Sequence, residues 1–296
     1  MKIFIAGGNG QVGFELQRSL SLWGEILAPR RETLNLACQE DVIHWLEEKK
    51  PDYIVNAAAY TNVEKAEVNK SDAWKINYCL PKLLSSYAVK YKVPLIHYST
   101  DYVYDGMCSR PYREDDVTLP LNVYGASKAA GDNAIISSGA HYVIFRTSWV
   151  YSIRNNNFFL NMLRISRKYK EINVVSDQIG APTTARLLAQ VTACSFMNPI
   201  HAGIYHVAAR GATSWYGFAC QIFSRAAAMG IPHLLDSSQI HKISSSQYPS
   251  RVKRPTNSRL SIEKIESSLH IKLPNWKYLL DITLQEYAEN INKKIP

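Results

Sequence analysis

Residues 3–13 read Ile3-Phe4-Ile5-Ala6-Gly7-Gly8-Asn9-Gly10-Gln11-Val12-Gly13, and this run decides the fold. Four consecutive apolar residues make a short strand buried on both faces, as strands of parallel sheets are. The glycines that follow permit a tight turn. Val12, Leu16 and Leu20 then recur at four-residue spacing, which gives the next helix one apolar stripe to lay on the sheet. Strand, turn and helix together suit a phosphate, because backbone N–H groups of the turn can approach it closely and the helix N-terminus adds a positive dipole end. The spacing satisfies one motif through Gly7, Gly10 and Gly13 and another through Gly8, Gly10 and Gly13, and does not choose between them.

Working outward, apolar runs at 25–28, 53–55, 95–98 and 142–145 read as strands, with helical stretches at 40–50 and 72–91. Each parallel crossover needs a helix, so the alternation predicts an α/β fold, a Rossmann-like doubly wound parallel sheet over residues 1–148. Residues 149–296 read as a smaller α/β lobe that binds substrate and can return segments to the first. Its expected elements are helices at 158–168, 184–195 and 215–229 and a strand at 172–175. The polar stretch 244–259, with Pro249 and Pro255, reads as a long loop of the kind that carries substrate contacts.

Composition narrows the function. Hydrophobic residues at 46% and charged residues at 20% describe a folded chain rather than a disordered one. The formal charge of +9 is scattered, its densest stretch being Arg251, Lys253 and Arg254, and no nucleic-acid recognition module is present. No nucleic-acid partner is expected, although an anionic small molecule would profit from the charge. Cys38, Cys79, Cys108, Cys194 and Cys220 are odd in number and widely spaced, which predicts reduced thiols. The apolar run at the start is too short for a signal peptide or membrane span, so a cytoplasmic protein without membrane contact is expected.

Tyr124 and Lys128 stand four apart, one helical turn on one face. A phenol is a weak acid near neutrality, but a neighbouring ammonium favours its ionised form, so the pair can give a proton to an alkoxide forming as hydride arrives. Ser99-Thr100-Asp101 follows the strand at 95–98, at the edge where α/β sheets place ligands, and Thr100 is sited to orient a carbonyl oxygen. The second strand ends at Pro29-Arg30-Arg31 rather than at an acidic residue. Two readings stand: the arginines meet the 2′-phosphate of NADPH, or they are surface charge, in which case Glu32 could reach the ribose of NADH.

These segments resemble the extended short-chain dehydrogenases over nearly the full length, and among them the dTDP-4-dehydrorhamnose reductase family. The matching stretches include Asn56-Ala57-Ala58-Ala59-Tyr60-Thr61, His97-Tyr98-Ser99-Thr100-Asp101-Tyr102, Arg146-Thr147-Ser148-Trp149, Asp177-Gln178-Ile179-Gly180-Ala181-Pro182-Thr183 and Arg254-Pro255-Thr256-Asn257-Ser258-Arg259-Leu260. The resemblance implies reduction of the C4 ketone of a dTDP-linked 6-deoxyhexulose by NAD(P)H, with Thr100, Tyr124 and Lys128 catalytic. It implies that Gly10, Gln11 and Val12 meet the cofactor's phosphates, beside Gly7 of the same glycine turn, and that Ala59, Tyr60 and Thr61 line its middle. Thr100, Asp101 and Trp149 would touch the sugar, Trp149 through its aromatic face, unless it is simply core. Reductases of other 4-keto-6-deoxyhexoses share this trio. A dehydratase of the same fold needs an acidic pair after its threonine, and here Asp101 is followed by Tyr102. A non-catalytic subunit of the fold would have lost part of the trio.

Some members of the family are dimers in which glutamates bridge a magnesium ion. Glu15 and Glu286 occupy matching places, but Arg186 stands where a further glutamate is called for. A guanidinium cannot ligate a cation, so no metal requirement is expected, and Arg186 can pair with Glu15 or Glu286 if a homodimer forms.

Overall fold

The computed structural model describes residues 1–232, 235, 237–250 and 252–292; Arg251 lies outside them. A parallel sheet is built from β1 (Lys2–Ala6), β2 (Glu25–Leu27), β3 (Tyr53–Asn56), β4 (Leu95–Thr100) and β5 (Tyr142–Thr147). Side chains alternate across it. Ile3, Ile5, Val55, Ile96 and Phe145 face one core, whereas Phe4, Ala6, Ile54, Leu95 and Ile144 face the other. Because each such side chain contributes about 1.5–3 kcal/mol on burial, the period-two pattern fixes the register.

The second face is covered by α2 (Gln39–Lys49), α5 (Leu80–Tyr91) and α6 (Val123–Ile136). On the first face lies α1 (Gln11–Leu20), whose Leu16 and Leu20 are fully buried. Between β3 and α5 the chain forms α3 (Val63–Val68) and α4 (Lys70–Trp74), then a π-helical turn, Lys75–Cys79. The single helix expected over 72–91 is therefore interrupted. The wider turn carries Asn77 inward, where it is fully buried.

After β5, the described residues form three two-stranded ribbons. β6 (Val150–Tyr151) pairs with β9 (Thr183–Thr184), β7 (Ile172–Val175) with β12 (Ile240–Ile243), and β8 (Ile179–Gly180) with β11 (Thr213–Ser214). The helices there are α7 (Phe158–Ile165), α8 (Ala185–Met197), α9 (Trp215–Ala228), α10 (Glu263–Leu269) and α11 (Trp276–Asn292). Two of these elements return to the first sheet: α8 packs on α1, and β10 (Gly203–His206) adds a sixth strand beside β5. The order is β10-β5-β4-β3-β1-β2, so chain direction across the sheet reverses between β1 and β3. A crevice opens outside the carboxyl ends of strands at such a point.

Residues 244–250 and 252–259 run as a loop apart from a short 3-10 turn, Ser245–Gln247. All five cysteines are free thiols. Among the described residues no helix is long and apolar enough to cross a membrane.

Candidate active site

Gly7 adopts φ +81°, and a Cβ there would lie 2.8 Å from the Ala58 backbone. A Cβ at Gly13 would come within 2.1 Å of the Gly7 carbonyl oxygen. Both glycines are therefore required by the turn itself. Gly10 is the N-cap of α1 and makes no side-chain cap, so the helix's first N–H groups are left to face a ligand. Gln11 is engaged: its Oε1 accepts from Ser152 Oγ and Asn157 Nδ2, each at 2.9 Å. Asn155 Nδ2 donates to the Asn9 carbonyl at 3.0 Å, so the loop before α7 lies against the glycine turn. Val12 packs into the core below.

Thr100 is the last residue of β4, and its Oγ1 accepts from Tyr102 N–H at 3.2 Å, which starts a 3-10 turn, Asp101–Val103. Asn122 caps α6 by accepting from Gly125 N–H at 2.9 Å and donates to the Lys253 carbonyl at 2.9 Å. A Cβ at Gly125 would meet the Tyr102 carbonyl oxygen at 2.2 Å, so the helix presses on that turn. The consequence is an edge-to-face contact of Tyr102 with Tyr124, 5.5 Å between centroids. Lys128 follows one turn along α6 and is 1% exposed.

The charges differ from the expected arrangement. Burial of its hydroxyl pushes the Tyr124 phenol up, opposed by the Thr100 hydroxyl and reinforced by Asp101 and Asp132. Lys128 is directed elsewhere: Nζ donates to the Tyr98 carbonyl at 2.6 Å and lies 3.1 Å from His97 Nε2. Burial brings Lys128 down to about 8, against the pull of Asp132. Tyr124 is therefore a protonated phenol at neutral pH, as a donor must be. Asp101 is 3% exposed, its Oδ1 accepts from Thr100 Oγ1 at 3.2 Å, and its Oδ2 is buried without a hydrogen-bond partner. Burial raises its carboxyl to about 7.

Asn77, which gave no sequence signal, ties the two halves together. Its Oδ1 accepts from Tyr60 N–H at 2.8 Å, and its Nδ2 donates to Ser127 Oγ at 3.0 Å on α6. Ala59, Tyr60 and Thr61 thus lie on a segment held against α6. Asp132 could have been read from its spacing, one turn beyond Lys128; it is fully buried and ion-paired with Arg146 at 3.1 Å.

A cleft of about 850 Å³ opens beside these groups, lined by Thr61, Glu64, Phe158, Gln178, Trp215 and Arg254 among others. Tyr124 does not line it directly; Arg254 links it to Tyr102 and so to Tyr124. Trp149, at φ +50°, stacks one face on Trp215 and has the Gly180 backbone against its ring. Arg30, Arg31 and Glu32 are all exposed beyond the end of β2.

Arg186 pairs within the chain, with Glu15 at 3.2 Å and Glu286 at 2.9 Å. Its expected pairing thus needs no second copy.

A doubly wound parallel sheet with this glycine turn, and Tyr-x-x-x-Lys on the helix that follows β4, places the fold among the short-chain dehydrogenases and reductases. Residues 1–289 match the RmlD substrate binding domain model, and the chain belongs to that family. It is 39% identical to a dTDP-4-dehydrorhamnose reductase of Burkholderia thailandensis, over 97% of this chain and 99% of the relative. The enzyme of that name from Escherichia coli K12 is 40% identical, over 94% and 95%. A Bacillus anthracis dTDP-4-dehydrorhamnose reductase solved in complex with NADP superposes with a TM-score of 0.89 at 30% identity, covering 96% of this chain and 99% of that one.

Proposed function

We propose that this chain reduces the C4 ketone of dTDP-4-dehydro-6-deoxy-L-mannose to dTDP-L-rhamnose. The observation that carries the reading is the convergence of Thr100, Tyr124 and Lys128 at the carboxyl end of β4, with β3 between it and the strand that leads into the glycine turn. The turn fits a dinucleotide, since the space beside Gly7 and Gly13 admits no side chain and the N-terminus of α1 is uncapped. NADPH supplies the hydride when bound, with NADH the alternative.

The chain's own residues do the rest. Gly7, Gly10, Gln11 and Val12 hold the phosphates, Ala59, Tyr60 and Thr61 line the middle of the cofactor, and Lys128 holds its nicotinamide ribose. Thr100 orients the ketone, and Tyr124 passes its phenolic proton to the C4 oxygen. Asp101 and the Trp149–Trp215 pair border the sugar. Arg254 faces the diphosphate from the cleft, where its guanidinium is held by Glu64 at 3.1 Å. Residues 149–296 supply most of the sugar lobe, while α8 and β10 complete the first domain. The protein works in the cytoplasm, and a homodimer is compatible with its exposed α11 face.

The deciding experiment is a stopped assay with this keto sugar and each reduced nicotinamide, reading the product's C4 stereochemistry by NMR. A rhamno product with stoichiometric cofactor oxidation is expected. No oxidation, or the C4 epimer, overturns the reading.

A further inference from the structure

Lys128 has no carboxylate of its own. Asp132, one turn further along α6, is held by Arg146 on β5 at 3.1 Å and by Ser99 Oγ on β4 at 2.9 Å. From β4, Lys128 meets the Tyr98 carbonyl and the fully buried His97. Asp101 and Tyr102, in the turn after β4, act on Tyr124. The bonds from Arg146 and Ser99 both go to Asp132 Oδ2; Oδ1 is buried without a hydrogen-bond partner, 3.8 Å from His97 Nε2, and its pull offsets the desolvation of a charged Lys128 only in part.

The protons on His97 follow from its neighbours. Ala58 N–H donates to Asn56 Oδ1 at 3.2 Å, so Asn56 turns its Nδ2 toward His97 Nδ1, 3.0 Å away. Nδ1 must accept. Burial holds the ring neutral, so its one hydrogen sits on Nε2. An ammonium there would set two donors face to face at 3.1 Å. The contact is favourable only when Lys128 is an amine whose lone pair accepts from Nε2–H while one of its own hydrogens goes to Tyr98.

We propose that His97 is a positioning residue that holds Lys128 as a neutral amine, and that Lys128 takes up a solvent proton when cofactor binding draws Nζ from the imidazole to the ribose hydroxyls. The inference rests on Lys128 as the ribose ligand. One N–H bond forms on Nζ, the buffer loses the proton, and His97 keeps its own. The cation then exists only where the ribose and Tyr124 use it.

Calorimetric titration of the full chain with NADPH at about pH 8.5, in buffers of different ionisation enthalpy, measures the uptake. Well over half a proton per cofactor is expected, none in Lys128→Met, and little in His97→Gln, whose amide oxygen offers an ammonium an acceptor before binding. Undiminished uptake in His97→Gln or Lys128→Met, or none in the wild type, overturns the proposal. Nitrogen-15 NMR of His97 in the free protein is an independent arm: the Nε2–H tautomer is expected, and the Nδ1–H tautomer refutes the pairing. If neither NADPH nor NADH binds, the functional reading and the uptake step fall together, and the tautomer still judges the His97–Lys128 contact.

Discussion

The indole of Trp149 lies flat on that of Trp215, with centroids 3.5 Å apart and planes within 8°. Trp215 Nε1 donates to Gln178 Oε1 at 3.1 Å, so the stack is anchored to the ribbon that lines the cleft. Trp149 holds a left-handed backbone that a bulky residue rarely adopts, and the stack helps to keep it there. An aromatic pair of this kind is worth about 0.5–1.5 kcal/mol beyond its buried area. Trp215→Leu is therefore expected to raise KM for the keto sugar by roughly two- to tenfold, with cofactor affinity unchanged. Equal KM values would show that the stack does not shape the sugar site.

Tyr124→Phe removes the proton donor and little volume. Turnover should drop by roughly 10²–10⁴-fold, the usual worth of positioned proton transfer, while NADPH affinity stays within twofold or so. Fluorescence titration and single-turnover rates separate the two quantities. A variant with near-native turnover would remove Tyr124 from the chemistry. Lys128→Met should instead weaken cofactor binding and turnover together.

Most of the fold was legible because β1, the glycine turn and α1 are local: periodicity and glycine spacing report them directly. β10 was not. Gly203–His206 is four residues long, and only its pairing with β5 makes it a strand. The trio was legible for the same reason, Tyr124 and Lys128 being one turn apart. Asn77 and Trp215 act through contacts with residues far along the chain, and spacing carries no trace of them. The direction of Lys128 was also illegible, since it depends on Asn56 and Ala58, which orient an imidazole from the neighbouring strand.

The Arg186 bridge joins α8 to α1 and α11, and its partners are the two glutamates that a bridging cation would need. Sedimentation with and without EDTA should give one distribution, and magnesium should leave the melting temperature unchanged. Arg186→Met leaves Glu15, 5% exposed, facing Glu286 without a cation, and should lower stability by about 1–3 kcal/mol. Dissociation on adding EDTA would count against this account.

Stability should fall as the medium is acidified from pH 6.5 toward 5. His206 is held down to about 3 by burial and by Arg146, and His97 well below its ordinary value, so the unfolded chain binds more protons than the native one in this window. Each histidine contributes a loss of up to about 1.4 kcal/mol per pH unit. Asp101 has the opposite sign: its carboxyl, raised to about 7, binds a proton in the fold first, which stabilises the fold as pH falls through 7. Two histidines against one carboxyl leave a net loss of roughly one proton's worth. Urea titrations should follow it, and His206→Gln, which leaves one histidine against one carboxyl, should bring the slope close to zero. A flat or rising profile in the wild type would contradict the neutral histidines.

Cofactor choice rests on the end of β2. Ala28 lies against the glycine turn, since a Cβ on Gly8 would approach its Cβ to 2.8 Å. The adenosine ribose of a dinucleotide held by that turn therefore meets the residues just beyond Ala28. Arg30 opens a turn there, its carbonyl accepting from Thr33 N–H and Leu34 N–H at 2.9 Å each, and Arg30, Arg31 and Glu32 are all exposed. A guanidinium bonded to a 2′-phosphate is worth on the order of 1.5–3 kcal/mol before screening. Exposure and salt reduce that, and Glu32 in the same turn repels the phosphate, so a preference of roughly tenfold for NADPH is expected rather than exclusion of NADH. The measurement is kcat/KM for both cofactors in the wild type and in Arg30→Ala, Arg31→Ala, with salt varied. The double variant should lose the preference, and raised salt should shrink it in the wild type. Equal constants in the wild type, or a ratio untouched by the substitutions, would show that these arginines are surface charge and that the ribose is read elsewhere.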